Sequence, residues 1–186
     1  MKKKLFCIVG VLCALGMVLA GCGSVAPPAS DIVYTDVKYT AGDVAFTLPQ
    51  ENQWEPLSEA DIEKGVGKGA SAYYGLFARS NALKQLFSVA YTDAVVEDTT
   101  YTAQTFAEAQ QAAFTQQYES TGEVFEKTVN GIDFYAFISD SGEEQALQEL
   151  YMVHQHGDKL LVVEFTYGTD YADKADTALA QILAQA

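Results

Sequence analysis

Few residues of this chain have types and spacing that could do chemistry. His154 and His156 stand one residue apart in "HQH", so on a strand both imidazoles leave the same face. Two imidazoles are only part of a metal site, which needs at least one more ligand held by the fold. The expected roles are one packed histidine and one turn histidine, with no metal assigned. "GVGKGAS", Gly65 to Ser71, has the glycines and lysine of a phosphate loop without its spacing. Ile62 occupies the place of the first glycine, and Gly69 follows the lysine where Ser or Thr is needed. A connecting loop is expected. "SDSGEEQ", Ser139 to Gln145, gathers oxygens without the ligand order of a calcium loop, and reads as a solvated acidic turn. The other carboxylates show no spacing that selects an acid/base pair. The serines lie in neither a nucleophile elbow nor a Ser-x-x-Lys pattern. No catalytic residue and no cofactor is assigned, and an enzyme is not expected.

The eleven tyrosines offer contact area with a polar tip. Most are expected to serve a sheet, where tyrosine is favoured. Tyr73, Tyr74 and Tyr151 are the candidate surface for a protein partner, whose identity the sequence does not give.

Three cysteines are present, Cys7, Cys13 and Cys22. Lys2, Lys3 and Lys4 precede an uncharged apolar run from Leu5 to Ala20, the pattern of a secretory leader. The run is shorter than the ~20 apolar residues that span a bilayer. Leu19-Ala20-Gly21-Cys22 closes it and resembles the lipobox of bacterial lipoproteins. That resemblance implies acylation of the Cys22 thiol, cleavage between Gly21 and Cys22, and loss of residues 1–21. Two acyl chains hold a protein on a membrane where one chain does so only marginally. Residues 22–31, small and Pro-containing, would then be a flexible tether, and 32–186 one globular domain at the extracytoplasmic face of the cell membrane. That domain has no thiol for a disulfide, a metal or nucleophilic catalysis.

The net charge is −14, and loss of three lysines with the leader makes it three units more negative. Such a body repels phosphate backbones, so nucleic acid is excluded as a partner. It is also pushed away from anionic headgroups, which leaves the lipid as its hold on the membrane.

These residues have to be positioned by strands and helices. Asn130-Gly131 suits a type I′ turn, pairing Val129 with Ile132, Lys127 with Phe134 and Phe125 with Ala136. That face gathers Phe125, Val129, Ile132, Phe134 and Ile138, and is the more apolar of the two. Gly157-Asp158 repeats the design, setting His154 against Leu161, Met152 against Val163 and Leu150 against Phe165. The opposite face, with Tyr151, Val153, Val162 and Glu164, is expected to be half-covered. A third hairpin turns around Ser80-Asn81-Ala82, and a strand "DVAFTL" ends at Pro49, which cannot donate to a ladder. Phe106, Gln110, Phe114 and Tyr118 make a helical stripe with Gly122 as its stop. A last helix carries Ala175, Leu179, Ile182 and Ala186, with Asp170 as N-cap and Asp173 in its first turn. Hairpins interrupted by long helices predict an α+β fold, an antiparallel sheet packed with helices.

"VAFTLPQENQW", with Phe46, Leu48, Pro49 and Trp54, resembles the opening motif of PsbP-like domains and related bacterial lipoproteins. The order that follows, hairpin, long helix, paired hairpins and C-terminal helix, is similar over most of residues 33–186. The resemblance implies an antiparallel sheet sandwiched between helices and an assembly or accessory role. It transfers no active site. A protein-binding or accessory lipoprotein is therefore the first expectation, a small-ligand or cation-binding lipoprotein the second, and an extracytoplasmic hydrolase the third.

Overall fold

The turns expected from residue type form as glycine and asparagine allow. The computed structural model describes residues 38–49, 52–96, 98–118, 120–142 and 146–186. The leader, Gly21, Cys22, the tether and residues 143–145 of the acidic turn lie outside them. β1 (Lys38–Ala41) and β2 (Val44–Thr47) turn at Gly42, and β3 (Trp54–Pro56) follows the Leu48-Pro49 stop. Ser58 caps α1 (Glu59–Gly65), accepting from the Asp61 N–H, and a 3₁₀ turn (Ala70–Tyr73) leads into β4 (Tyr74–Ser80) and β5 (Gln85–Asp93). After the short pair β6 (Val95–Val96) and β7 (Thr99–Thr100), Thr102 caps α2 (Ala103–Phe114) through a reciprocal box with Thr105. β8 (Ser120–Thr121) then precedes β9 (Phe125–Val129) and β10 (Ile132–Asp140), whose Asn130-Gly131 turn has φ of 50° and 81°. β11 (Leu147–His156), β12 (Lys159–Gly168), α3 (Ala172–Ile182) and β13 (Leu183–Gln185) complete the described chain.

One antiparallel sheet runs in the order β3-β4-β5-β12-β11-β10-β8, with β9 beside β10. Its register is the expected one: Val129 opposes Ile132, Phe125 opposes Ala136, and His154, Met152 and Leu150 oppose Leu161, Val163 and Phe165. On the first face lie the small sheet β1-β2-β13 and α3, over Phe87, Phe134, Met152, Val163 and Phe165. On the second face lie α1, the 3₁₀ turn and α2, over Phe77, Phe137, Tyr151, Val153 and Val162. The architecture is α+β, an antiparallel sheet between helical layers, with the extra small sheet sharing one layer with α3.

Four local expectations are corrected. The face of Tyr151, Val153 and Val162 is fully buried, because α2 lies across it. Phe125 and Ile138 are the exposed members of their hairpin face, 40% and 36% accessible, since neither is roofed. α2 stops at Phe114, well before Gly122: Gln116 and Gln117 bond back three residues, and the tightened turn carries Tyr118 onto the Phe114 ring at 5.1 Å. Asp170 sits in a 3₁₀ turn (Thr169–Tyr171), and the N-cap of α3 is Tyr171, which makes no side-chain capping bond. Asp173 does occupy its first turn, and Ala175, Leu179 and Ile182 are its buried stripe; Ala186 lies beyond β13 and is exposed.

Candidate functional site

α2 determines where the site is. Its first N–H groups meet β11 near its end, Ala103 N donating to Gln155 Oε1 at 3.0 Å, and its last buried ring, Phe114, packs on Tyr151 at 5.4 Å. The next position of β11 on this face is Glu149, and the helix does not reach it. Beyond the helix end lies a cavity of about 400 Å³, whose lining includes Phe77, Leu86, Ser88, Tyr118, Glu149 and Glu164. Its walls are the β4–β5 hairpin on one side and Ser141, Leu147 and Gln148 on the other.

Two carboxylates line it on neighbouring strands. Glu149 opposes Thr166, and Glu164 opposes Tyr151 on one side and Ser88 on the other. The acids are therefore diagonal neighbours on one face, the relation that puts Cα atoms roughly 7–8 Å apart. Tyr118 Oη donates to Glu149 Oε2 at 2.5 Å, and Ser88 Oγ donates to Glu164 Oε2 at 2.8 Å. The Oε1 atoms of both acids and the Tyr151 hydroxyl are buried without a hydrogen-bond partner among the described residues. Glu149 is 1% exposed and Glu164 4%.

Burial sets the electrostatics. It pushes the Glu164 carboxyl up to about 7, against the pull of the Ser88 hydroxyl. It pushes Glu149 well above the carboxylate range, and the charge of Glu164 adds to this while the Tyr118 bond opposes it. The phenols of Tyr118 and Tyr151 are raised as well, first by burial and then by the carboxylates beside them. Burial thus favours the neutral form of both acids, and the charge of Glu164 further disfavours that of Glu149. The arrangement can hold a proton, donate a hydrogen bond from a protonated carboxyl, or receive a positively charged group.

The residues singled out from sequence fall elsewhere. His154 and His156 meet on Asp43, in the turn between β1 and β2. His154 Nε2 is 3.2 Å and His156 Nδ1 3.0 Å from Asp43 Oδ1, while His154 Nδ1 donates to the Asp133 carbonyl at 2.8 Å. As expected, His154 packs (Phe134 lies 5.6 Å away) and His156 flanks the turn. Burial pushes the Asp43 carboxyl up, but its own backbone N–H and the two imidazoles outweigh this and hold it below its usual value. Among the described residues no group of three or more His, Cys, Asp or Glu is placed to hold a metal ion. In the glycine-rich segment, Glu63 Oε1 accepts from Gly69 N at 3.1 Å and Ser71 Oγ at 3.2 Å, so a carboxylate fills the place an anion would need. Asp140 closes its own turn, accepting from Gly142 N at 2.8 Å.

The tyrosine surface is corrected. Tyr151 is 0% exposed and stacks on Phe137 at 4.9 Å; Tyr74 is 8% exposed and packs on Phe77. Sheet alternation turns both rings into the second core, and Tyr73 alone is half-buried at its edge. Glu149, Glu164, Ser88 and the hydroxyl of Tyr118 were not selected from sequence. A signal for Glu164 did exist: it is the one charge between Leu160 and Phe165, an acid where the pattern asks for an apolar residue.

No protein-family model matches the sequence, and no curated protein shows significant sequence similarity to it. Similar solved structures do exist. The solution structure of cyanobacterial PsbP (CyanoP) from Synechocystis sp. PCC 6803 matches at a TM-score of 0.54 and 15% identity, covering 88% of this chain and 100% of that one. A crystal structure from Bacteroides thetaiotaomicron VPI-5482 matches at 0.48 and 12% identity, covering 80% of this chain and 48% of that one, about half its length. The globular part thus has a PsbP-like fold. A likeness at this identity is one of fold, which hosts many functions.

Proposed function

We propose that this chain is a non-catalytic binding module, moored to the extracytoplasmic face of the cell membrane by lipid on Cys22, with a small molecule as its ligand. The observation that carries the reading is the cavity over Glu149 and Glu164. Mostly apolar walls with a few convergent polar groups, in about 400 Å³, are the make-up of a small-molecule site. Buried carboxylate oxygens without partners among the described residues cost stability. Acids perturbed by burial cluster in functional clefts, and Glu149 and Glu164 are two such acids in one cavity. The burial of Tyr74 and Tyr151 moves ligand binding ahead of docking to a protein partner. The lipobox residues, and a leader in which three lysines precede an uncharged apolar run, support the address.

The site is tested by thermal melting of the full chain against a broad panel of small metabolites. A selective ligand raises Tm, and Leu86→Trp, which fills the cavity, removes that rise. Silence across the panel at saturating concentrations overturns the site. The anchor is tested by mass spectrometry of the native amino terminus. Diacylated Cys22 is expected; an intact leader or a free thiol overturns it.

A further inference from the structure

The two acids also name the class of ligand, an inference that rests on the cavity being a binding site. Each carboxylate spends one oxygen on a hydroxyl donor and leaves the other without a partner among the described residues. No Lys, Arg or His pairs with either acid among the described residues. Arg79 and Lys84 line the cavity, but Arg79 is 3.5 Å from Glu55, and Lys84 is exposed. The site lacks one positive charge that carries N–H donors. A metal ion is a poor match, because among the described residues no group of three or more His, Cys, Asp or Glu is placed to hold one, and the remaining oxygens of the lining belong to neutral hydroxyl and amide side chains. An organic cation meets both requirements: its charged end satisfies the acids and its hydrocarbon meets the walls.

We infer that the cavity receives the primary ammonium group of a small apolar monoamine, donating N–H bonds to the carboxylates of Glu149 and Glu164. The positive side chains of Arg79 and Lys84 oppose a second cationic centre, so diamines and polyamines are selected against. A bound ammonium favours the ionised carboxylates, so the proton that burial holds on them leaves to solvent. Binding therefore strengthens as pH rises through the range in which the pair ionises, while the amine itself stays charged. The titratable and charged groups that face the pair, with the Ser88 hydroxyl on β5, are Tyr118 after α2, Tyr151 on β11, and the cations Arg79 and Lys84 of the β4–β5 hairpin.

Isothermal titration calorimetry on the full chain tests this with a panel of aliphatic and aromatic monoamines (2-phenylethylamine among them), their matching alcohols, and putrescine. At least one monoamine is expected to bind about tenfold more tightly near pH 8 than near pH 6, with a heat that varies with the buffer's ionisation enthalpy as a proton is released. Its alcohol and putrescine are expected to bind at least about tenfold more weakly. Glu164→Gln and Glu149→Gln, checked for folding by melting, should each weaken the amine and flatten its pH dependence. Equal affinity for amine and alcohol, or Gln variants with unchanged affinity and pH profile, overturns the ammonium assignment and leaves a neutral-ligand cavity standing. If neither amines, alcohols nor the wider metabolite panel bind, the cavity reading itself has failed.

Discussion

The two faces of the central sheet are built from equally alternating strands, yet one is closed and the other opens at one end. On the first face, the small sheet and α3 cover an apolar core in which Phe46, Phe87, Phe134 and Phe165 are each at most 1% exposed. Polar groups stay at its rim and are paired there: Asn130 Nδ2 donates to the Ala180 and Leu183 carbonyls at 2.7 Å, and Asp43 meets both histidines. On the second face, α2 covers the sheet as far as Tyr151 and no farther. The next row carries Glu149, Glu164 and Ser88, with carboxylate oxygens left without partners among the described residues. One face is spent on stability. The other gives some of it up to hold charge in an apolar place.

The largest effect should come from the closed face. Phe165→Ala removes a ring that packs on Phe87 at 6.0 Å and Tyr167 at 5.0 Å, and should cost about 3–5 kcal/mol in denaturant unfolding. A loss under about 1 kcal/mol would end the claim that this face carries the fold. The open face should respond in the opposite direction. Glu164 is raised in the folded state, so wild-type stability falls as pH rises from the ordinary carboxylate range through about 7. Glu164→Gln escapes this, and should be more stable than wild type near pH 8 by on the order of 2 kcal/mol, with the gain gone at pH 4. A variant destabilised at pH 8 would show that the carboxylate supports the core. The smallest effect belongs to the rim of the closed face. Asp43 is lowered in the folded state, so its contribution is present above the unfolded value of 3.8 and is lost as pH falls through the folded one. Asp43→Asn should cost less than about 1 kcal/mol at pH 6 and nothing at pH 2, because the pair is half-exposed.

Much of the fold was legible because its signals are short-range. The positive φ of Asn130, Gly131 and Gly157 is a property of those residues, and each turn sets the register of the strands it joins. Alternation then assigns every side chain to a face. The meeting of His154 and His156 with Asp43 was not legible, since 111 residues separate Asp43 from His154 and only the packing of one sheet on another joins them. Nor was the burial of Tyr74 and Tyr151, which depends on what α2 and the 3₁₀ turn cover.

By itself the sequence determined the hairpins, their register, the helical stripes, and the placing of Glu149 and Glu164 on one side of β11 and β12. Only the tertiary structure decided whether helix, water or an open cavity lies above them. The physical reason is one of range. Backbone preference and side-chain alternation act over a few residues, but the cover over a sheet face depends on where a distant helix stops. Here α2 tightens after Phe114 and swings Tyr118 onto Glu149, and that turn leaves two acids under an unfilled space.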